Sequence, residues 1–325
     1  MSFQGFQSSH TDCPSGAKIF AYHRLTSVPQ QNAATKPVIV LLHGYPQNSL
    51  MYKKFVDEIP SNWDVIVPDL PGYGLSSKPI RPEDNSLAHS KREWAKDVVH
   101  LVDALVSPSV PIIAFGHDRG GRVAYRLSLD FPKRVAGAAV LDIVPGIYVW
   151  DAMRLEKGHV ETKRSHHWIF LSSPRPLPET MIGSNPEFYF NFTMSSWTGG
   201  KKPEDVPEWV KDSIAPFLDP ATGKDKIAAA CEDYRAGASL DIQDDIKSSI
   251  NPQEQPKEVF QCPMLVMYSS HLQRRFNVEQ VWTSISKPGT VTSIQIGDET
   301  TGHFLINEKQ EETGQRFREW LAQFQ

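Results

Sequence analysis

The chain has 325 residues, 40% of them hydrophobic and 22% charged, with a formal net charge of −4. That balance fits a folded soluble protein with a sizeable core. It excludes a disordered chain and offers no basic surface for nucleic acid or an anionic membrane. No apolar run reaches the ~18 residues of a membrane span and no signal peptide is recognisable, while Cys13, Cys231 and Cys262 are too scattered for a metal or redox motif. A cytoplasmic, reducing setting is expected, with no metal and no other cofactor.

In chain order, two short strands are expected near residues 3–10 and 18–25, joined by a turn at Pro14-Ser15-Gly16, and residues 30–35 read as a polar connector. The continuous apolar run Val38-Ile39-Val40-Leu41-Leu42 has the signature of a strand buried on both faces. It runs into the turn sequence His43-Gly44-Tyr45-Pro46. A helix is expected over residues 50–59, closed by Pro60. Val65-Ile66-Val67 is the next buried strand, followed by the turn-rich Pro68-Asp69-Leu70-Pro71-Gly72-Tyr73-Gly74. Ser90 and Glu93 form a capping-box pair, after which Trp94, Val98, Leu101, Val102 and Leu105 repeat at helical spacing.

A further strand is expected over residues 112–117 and another over 135–143, the latter carrying Asp142 near its end. Between about 145 and 256 strand-like runs vanish, prolines cluster and aromatics become frequent, which predicts a helical insertion. Strands resume at 264–268 and 291–296. A last helix bears Phe317, Trp320, Leu321 and Phe324 on one face, with Asn307 as its expected N-cap. Strands alternating with helices indicate a mostly parallel sheet covered on both faces, whose ligands bind at the carboxyl ends of the strands.

The most informative stretch is Phe115-Gly116-His117-Asp118-Arg119-Gly120-Gly121-Arg122. Glycines flank Asp118 two places to either side, at a strand-to-helix junction, in the pattern of a nucleophile elbow. Asp118 read as a plain helix N-cap is the competing interpretation. An aspartate at an elbow suits attack on saturated carbon. It is ionised without a base, and the ester it forms can be hydrolysed, whereas the ether a serine would form cannot.

Hydrolysis of that ester needs a base of near-neutral pKa and an acid to orient it. His303 follows the last strand, at the same sheet edge as the elbow. The acid belongs after the strand ending near 143 or after the one ending near 268. The second loop, 269–278, has no carboxylate, which leaves Asp142. Backbone N–H groups of Tyr45 and Arg119 are placed to form an oxyanion hole. Arg119 and Arg122 sit at a helix N-terminus, where cations oppose the macrodipole. Two guanidinium forks in that position suit a small carboxylate, unless they pair with acidic residues of the insertion.

The elbow residues resemble those of the fluoroacetate (haloacetate) dehalogenases of the α/β-hydrolase fold. So do His43-Gly44-Tyr45-Pro46-Gln47, Leu141-Asp142-Ile143-Val144-Pro145, His167-Trp168, Ser196-Trp197-Thr198, the run from Cys231 to Ala238, and Gly302-His303-Phe304-Leu305. The resemblance implies a mostly parallel eight-stranded sheet with helices on both faces and a helical cap. Residues 1–144 and 257–325 would form the core and 145–256 the cap. It implies Asp118 as nucleophile, Asp142 as acid, His303 as base, Arg119 and Arg122 as carboxylate ligands, and His167, Trp168 and Tyr234 as halide donors. Trp197, His43 and Tyr189 would line the pocket. It further implies a homodimer acting on a small molecule. The loop 269–276 departs from the family's usual turn, and His166 beside His167 leaves open which imidazole faces the pocket.

An epoxide hydrolase shares the aspartate and histidine and needs two donors for the ring oxygen, for which Tyr189 and Tyr234 are candidates. It has no use for paired arginines beside the nucleophile. A non-catalytic ligand-binding protein on the same fold is a third reading, but would have no need of Asp118, Asp142 and His303 together.

Overall fold

The computed structural model describes residues 3–26, 36–80, 85–157, 159–199 and 207–325. Its strands are β1 (Gln7–Asp12), β2 (Lys18–Arg24), β3 (Val38–Leu42), β4 (Val65–Pro68), β5 (Ile112–His117), β6 (Val135–Leu141), β7 (Met264–Tyr268) and β8 (Val291–Gln295). They form one eight-stranded sheet in the order β1-β2-β4-β3-β5-β6-β7-β8. The β1–β2 and β2–β4 pairings are antiparallel, and from β4 to β8 every pairing is parallel.

The central strands are apolar throughout because both faces are covered. In β3, Val38, Val40 and Leu42 enter one buried cluster while Ile39 and Leu41 enter the other, and in β5 Ile112 and Ala114 separate likewise from Ile113 and Phe115. This is the two-residue period of a strand read into two cores. Trp94, Val98 and Leu101 of the helix Lys91–Leu105 join the first cluster, and Phe317, Trp320 and Leu321 of Gln310–Leu321 join the second. Each such side chain contributes ~1.5–3 kcal/mol when fully buried.

Every described element from Gly146 to Lys247 is helical, the longest being Pro186–Trp197, Glu208–Leu218 and Gly223–Gly237. No described helix is long and apolar enough to cross a membrane. Several local expectations are corrected. The stretch 50–59 forms two 3₁₀ turns, Ser49–Tyr52 and Phe55–Glu58, rather than one helix. There the Lys53 N–H closes on Leu50 O at 3.0 Å, so the first turn ends as an i→i+3 turn. Asn307 lies inside a short helix, Leu305–Glu308, and does not cap the helix that follows. Its side chain instead accepts from Gln47 Nε2 at 2.9 Å and donates to Met51 O at 3.2 Å. The stretch 269–276 folds as a helix, Ser270–Phe276, whose Leu272 N–H donates to Ser269 Oγ at 3.2 Å. The connector at residues 30–35 lies outside the described residues.

Candidate active site

Asp118 follows β5 with φ 48° and ψ −115°, a conformation that L residues hold at a cost of about 1–3 kcal/mol. The glycines around it make the turn possible. A Cβ at Gly116 would lie 2.2 Å from Gly120 O, one at Gly120 would lie 2.1 Å from Leu42 O, and one at Gly44 would lie 2.4 Å from Asp118 Cβ. Asp118 occupies the N-cap position of Arg119–Asp130, yet its side chain makes no capping bond. The carboxylate is turned outward to the site.

There each oxygen has its own neighbour. Oδ1 accepts from the Tyr45 backbone N–H at 2.9 Å, so one of the two expected oxyanion donors already faces this group. Oδ2 stands 3.7 Å from His303 Nε2. His303 Nδ1 in turn donates to Asp142 Oδ2 at 2.7 Å, and Asp142 Oδ1 accepts from the Ser269 N–H at 2.7 Å. Asp142 is also held at positive φ, 52°. The three residues expected from chain order therefore meet at the carboxyl ends of β5, β6 and β8.

Burial alone would lower the His303 pKa, but Asp118 and Asp142 outweigh it and raise it to about 9. Burial likewise opposes ionisation of Asp118 and Asp142, and the His303 imidazolium overrides that opposition, leaving both below the usual carboxylate range. The resting site is thus an imidazolium between two carboxylates. His117, which the sequence did not single out, donates from Nε2 to the His303 carbonyl at 2.8 Å and fixes the base's loop. It can do so as a neutral ring, because burial lowers its pKa to about 4.

The arginines do not present two free forks. Arg119 donates from Nε to both oxygens of buried Asp233 at 3.0 Å, and from Nη2 to the Asp233 carbonyl at 2.8 Å and to its Oδ1. Asp233 also takes Tyr73 Oη at 2.8 Å and Lys91 Nζ at 2.5 Å. Only Arg119 Nη1 is left without a hydrogen bond, and the side chain does not line the cavity at Asp118. Arg122 does line it. Its Nη1 donates to Val144 O at 3.0 Å, its buried Nε has no partner, and its guanidinium lies 4.7 Å above the Trp168 ring. Of the pair, Arg122 is the cation without a carboxylate partner.

Asp118, Arg122, His167, Trp168, Trp197 and His303 share one cavity of about 580 Å³. His167, not His166, faces it, because His166 is exposed with Nδ1 against Lys163 O at 3.1 Å. Burial lowers the His167 pKa to about 3, so this imidazole is neutral, and its Nδ1 is buried with no partner. Three of the residues expected at the pocket do not line this cavity. Tyr234 packs 5.9 Å from His167 and 6.1 Å from Trp168 but stands behind them, under the Arg119 guanidinium at 4.4 Å. Tyr189 is likewise off the cavity wall, its hydroxyl accepting from Tyr45 Oη at 3.4 Å. His43 is wholly buried and pins two loops, with Nδ1 donating to Gly44 O at 3.0 Å and Nε2 accepting from the Leu70 N–H at 2.8 Å. Among the described residues no group of three or more His, Cys, Asp or Glu could hold a metal ion.

Sheet order, elbow and the Asp118–His303–Asp142 constellation define a hydrolase of the α/β-hydrolase class. The chain belongs to that family. Residues 37–163 match the family described as alpha/beta hydrolase fold. Over 292 residues the chain is 32% identical to a fluoroacetate dehalogenase of Burkholderia sp, covering 88% of this chain and 87% of that protein. It is 25% identical over 277 residues to the soluble epoxide hydrolase of Corynebacterium sp. (strain C12), covering 83% and 85%. A crystal structure of an alpha/beta hydrolase from Nostoc sp PCC 7120 matches with a TM-score of 0.79 at 32% identity, over 98% of this chain and 99% of that one.

Proposed function

We propose that the chain is a hydrolytic dehalogenase of 2-haloacids. The observation that carries this reading is Arg122: a buried cation with no ion pair among the described residues and an unused Nε, in the same cavity as Asp118. A buried charge needs a partner, and a carboxylate beside the reacting carbon supplies one. Neither an epoxide nor a neutral haloalkane would.

In this mechanism Asp118 Oδ2 attacks C2 of the substrate, the carbon–halogen bond breaks, and the halide leaves with the bonding pair towards the His167 and Trp168 wall. The product is a neutral ester on Asp118. Loss of the Asp118 charge weakens the hold on the His303 proton, which is released to solvent. Neutral His303 then takes a proton from water as its oxygen attacks the ester carbonyl, and the oxyanion develops on Oδ1 against the Tyr45 N–H. Collapse expels the hydroxyacid oxygen, which takes the remaining proton of the added water, and leaves Asp118 as a carboxylate and His303 as the imidazolium. The sum is haloacid plus water giving hydroxyacid, halide and a proton.

The similarity to a fluoroacetate dehalogenase supports this reading, and the similarity to an epoxide hydrolase sets its main competitor. Halide-selective electrodes on purified protein with fluoroacetate, chloroacetate and chloroacetamide test it, with styrene oxide ring opening followed in parallel. Halide release from the acids, well above that from the amide, is expected. Ring opening without halide release would establish the epoxide reading instead. We further propose that the protein acts as a homodimer in the cytoplasm, which sedimentation and fractionation would check.

A further inference from the structure

We propose that the substrate is an extended, dianionic 2-haloacid, with a second acidic group at the far end of the side chain on C2. This rests on the haloacid reading above and names its substrate class. The cavity, about 580 Å³, falls in the range of about 300–1,000 Å³ that takes ligands of drug size, and far exceeds the handful of non-hydrogen atoms in a haloacetate.

Its wall is mixed. Asp118, His303 and the buried Arg122 share it with the apolar Val144, Val149, Leu272 and Phe276. It also carries three arginines nearer solvent, Arg164 and Arg274 exposed and Arg275 half-buried. Arg275 is held by Glu161, at 2.5 Å from Nη2 and 3.2 Å from Nε, and Arg274 is held by Glu299. Neither glutamate lines the cavity. Two of the arginines on the wall are thus held by acids that do not themselves line the cavity. Arg164 is exposed and has no hydrogen bond or ion pair among the described residues. Among the described residues the carboxylates on the cavity wall are Asp118 and Asp142, both engaged with His303. A buried arginine beside the nucleophile, apolar side chains and arginines nearer solvent on one wall match a chain with an acid at each end. The helix Ser270–Phe276 after β7 supplies two of those cations, Arg274 and Arg275, and two of the apolar wall residues, Leu272 and Phe276.

The reaction is unchanged: Asp118 displaces the halide and water cleaves the ester, giving the 2-hydroxy diacid, halide and a proton.

The test compares halide release by the wild-type protein from bromoacetate, 2-bromohexanoate and 2-bromohexanedioate. The last two have the same chain length and differ only in the terminal acid. The diacid should be favoured in kcat/KM by about tenfold or more, the yield of one charge-assisted hydrogen bond. Arg164→Gln should narrow that diacid-to-monoacid ratio. Binding of 2-hydroxyhexanedioate against 2-hydroxyhexanoate by calorimetry reads the same preference without turnover. Turnover of bromoacetate with equal rates for the two six-carbon acids, or with neither accepted, overturns the inference and leaves the haloacid reading standing. A loss in Arg164→Gln that is equal for all three acids and disappears in high salt also overturns it, since that is long-range steering of any anion. If no haloacid releases halide and calorimetry shows no preference, both readings fall.

Discussion

Removing the charge of Asp118 should release the His303 proton. In the resting site His303 Nε2 lies 3.7 Å from Asp118 Oδ2 and Nδ1 lies 2.7 Å from Asp142 Oδ2, and together these carboxylates raise its pKa to about 9 against the effect of burial. At an effective dielectric of about 20, unit charges 3.7 Å apart attract by about 4 kcal/mol, or roughly three pH units of proton affinity, less what site relaxation and solvent return. Asp118→Asn keeps the shape and deletes the charge. Its His303 should titrate on the order of two to three pH units lower than in the wild type. Histidine-selective ¹⁵N NMR across pH 5 to 10 measures this directly, with His303→Asn assigning the resonance. The variant also mimics the electrostatics of the ester intermediate, in which the aspartate is neutral. A His303 that titrates at the same pH in both proteins would refute the coupling, and with it the account of how an imidazolium becomes a base only after halide has left.

Three other outcomes are expected. His303→Asn should release about one halide per site and stall, with the acid fragment found by mass spectrometry on Asp118, since displacement needs only the carboxylate; a variant that binds haloacid yet forms no adduct would mean that water attacks the substrate directly. Arg122→Gln should lower kcat/KM for haloacetate by about 10- to 100-fold, the range for a hydrogen bond to a charged group, with little effect on haloacetamide, and Arg122→Lys should recover only part of it. Because the folded pKa of His303, about 9, lies above the unfolded value of 6.5, the pairing stabilises fully below about pH 6.5 and is lost as pH rises through 9. The melting temperature should therefore fall between pH 7 and 10 more steeply for the wild type than for His303→Asn, and parallel curves would contradict the shift.

The parts of the fold that were readable from sequence are those where local pattern and tertiary context agree. The run Val38-Ile39-Val40-Leu41-Leu42 announces a strand because residues buried on both faces have no reason to alternate, and the structure divides them between two cores. Gly116 and Gly120 announce the elbow because backbone lies within about 2 Å of where their Cβ atoms would be. The misread stretches are those where short-range hydrogen bonds decide. The stretch 50–59 has helical composition but breaks into two 3₁₀ turns, and Asn307 looks like a cap because it precedes an amphipathic run. In the fold its amide is taken by Gln47, far off in sequence.

The site shows the same division, with consequences for chemistry. Asp118, Asp142 and His303 could be placed from chain order because strand ends in a parallel sheet converge. The state of Arg119 could not, since its partner Asp233 lies on a helix of the 145–256 segment and no periodicity links them. That ion pair changes what the site can do. With Arg119 tied to a carboxylate that also holds Lys91 and Tyr73, its charge is balanced from behind. On the proposed reading, Arg122 is left as the cation that a substrate carboxylate would neutralise. That charge would then be met by one carboxylate rather than gripped by two forks, and a single-point hold would leave the rest of an acid free to extend. The same cavity wall carries apolar side chains and three further arginines that such an extension could meet. A pair of forks closed on a two-carbon acid would have no need of that cavity volume, whereas on the proposed reading one buried guanidinium would orient C2 towards Asp118 and rely on distal contacts to fix the remaining rotation.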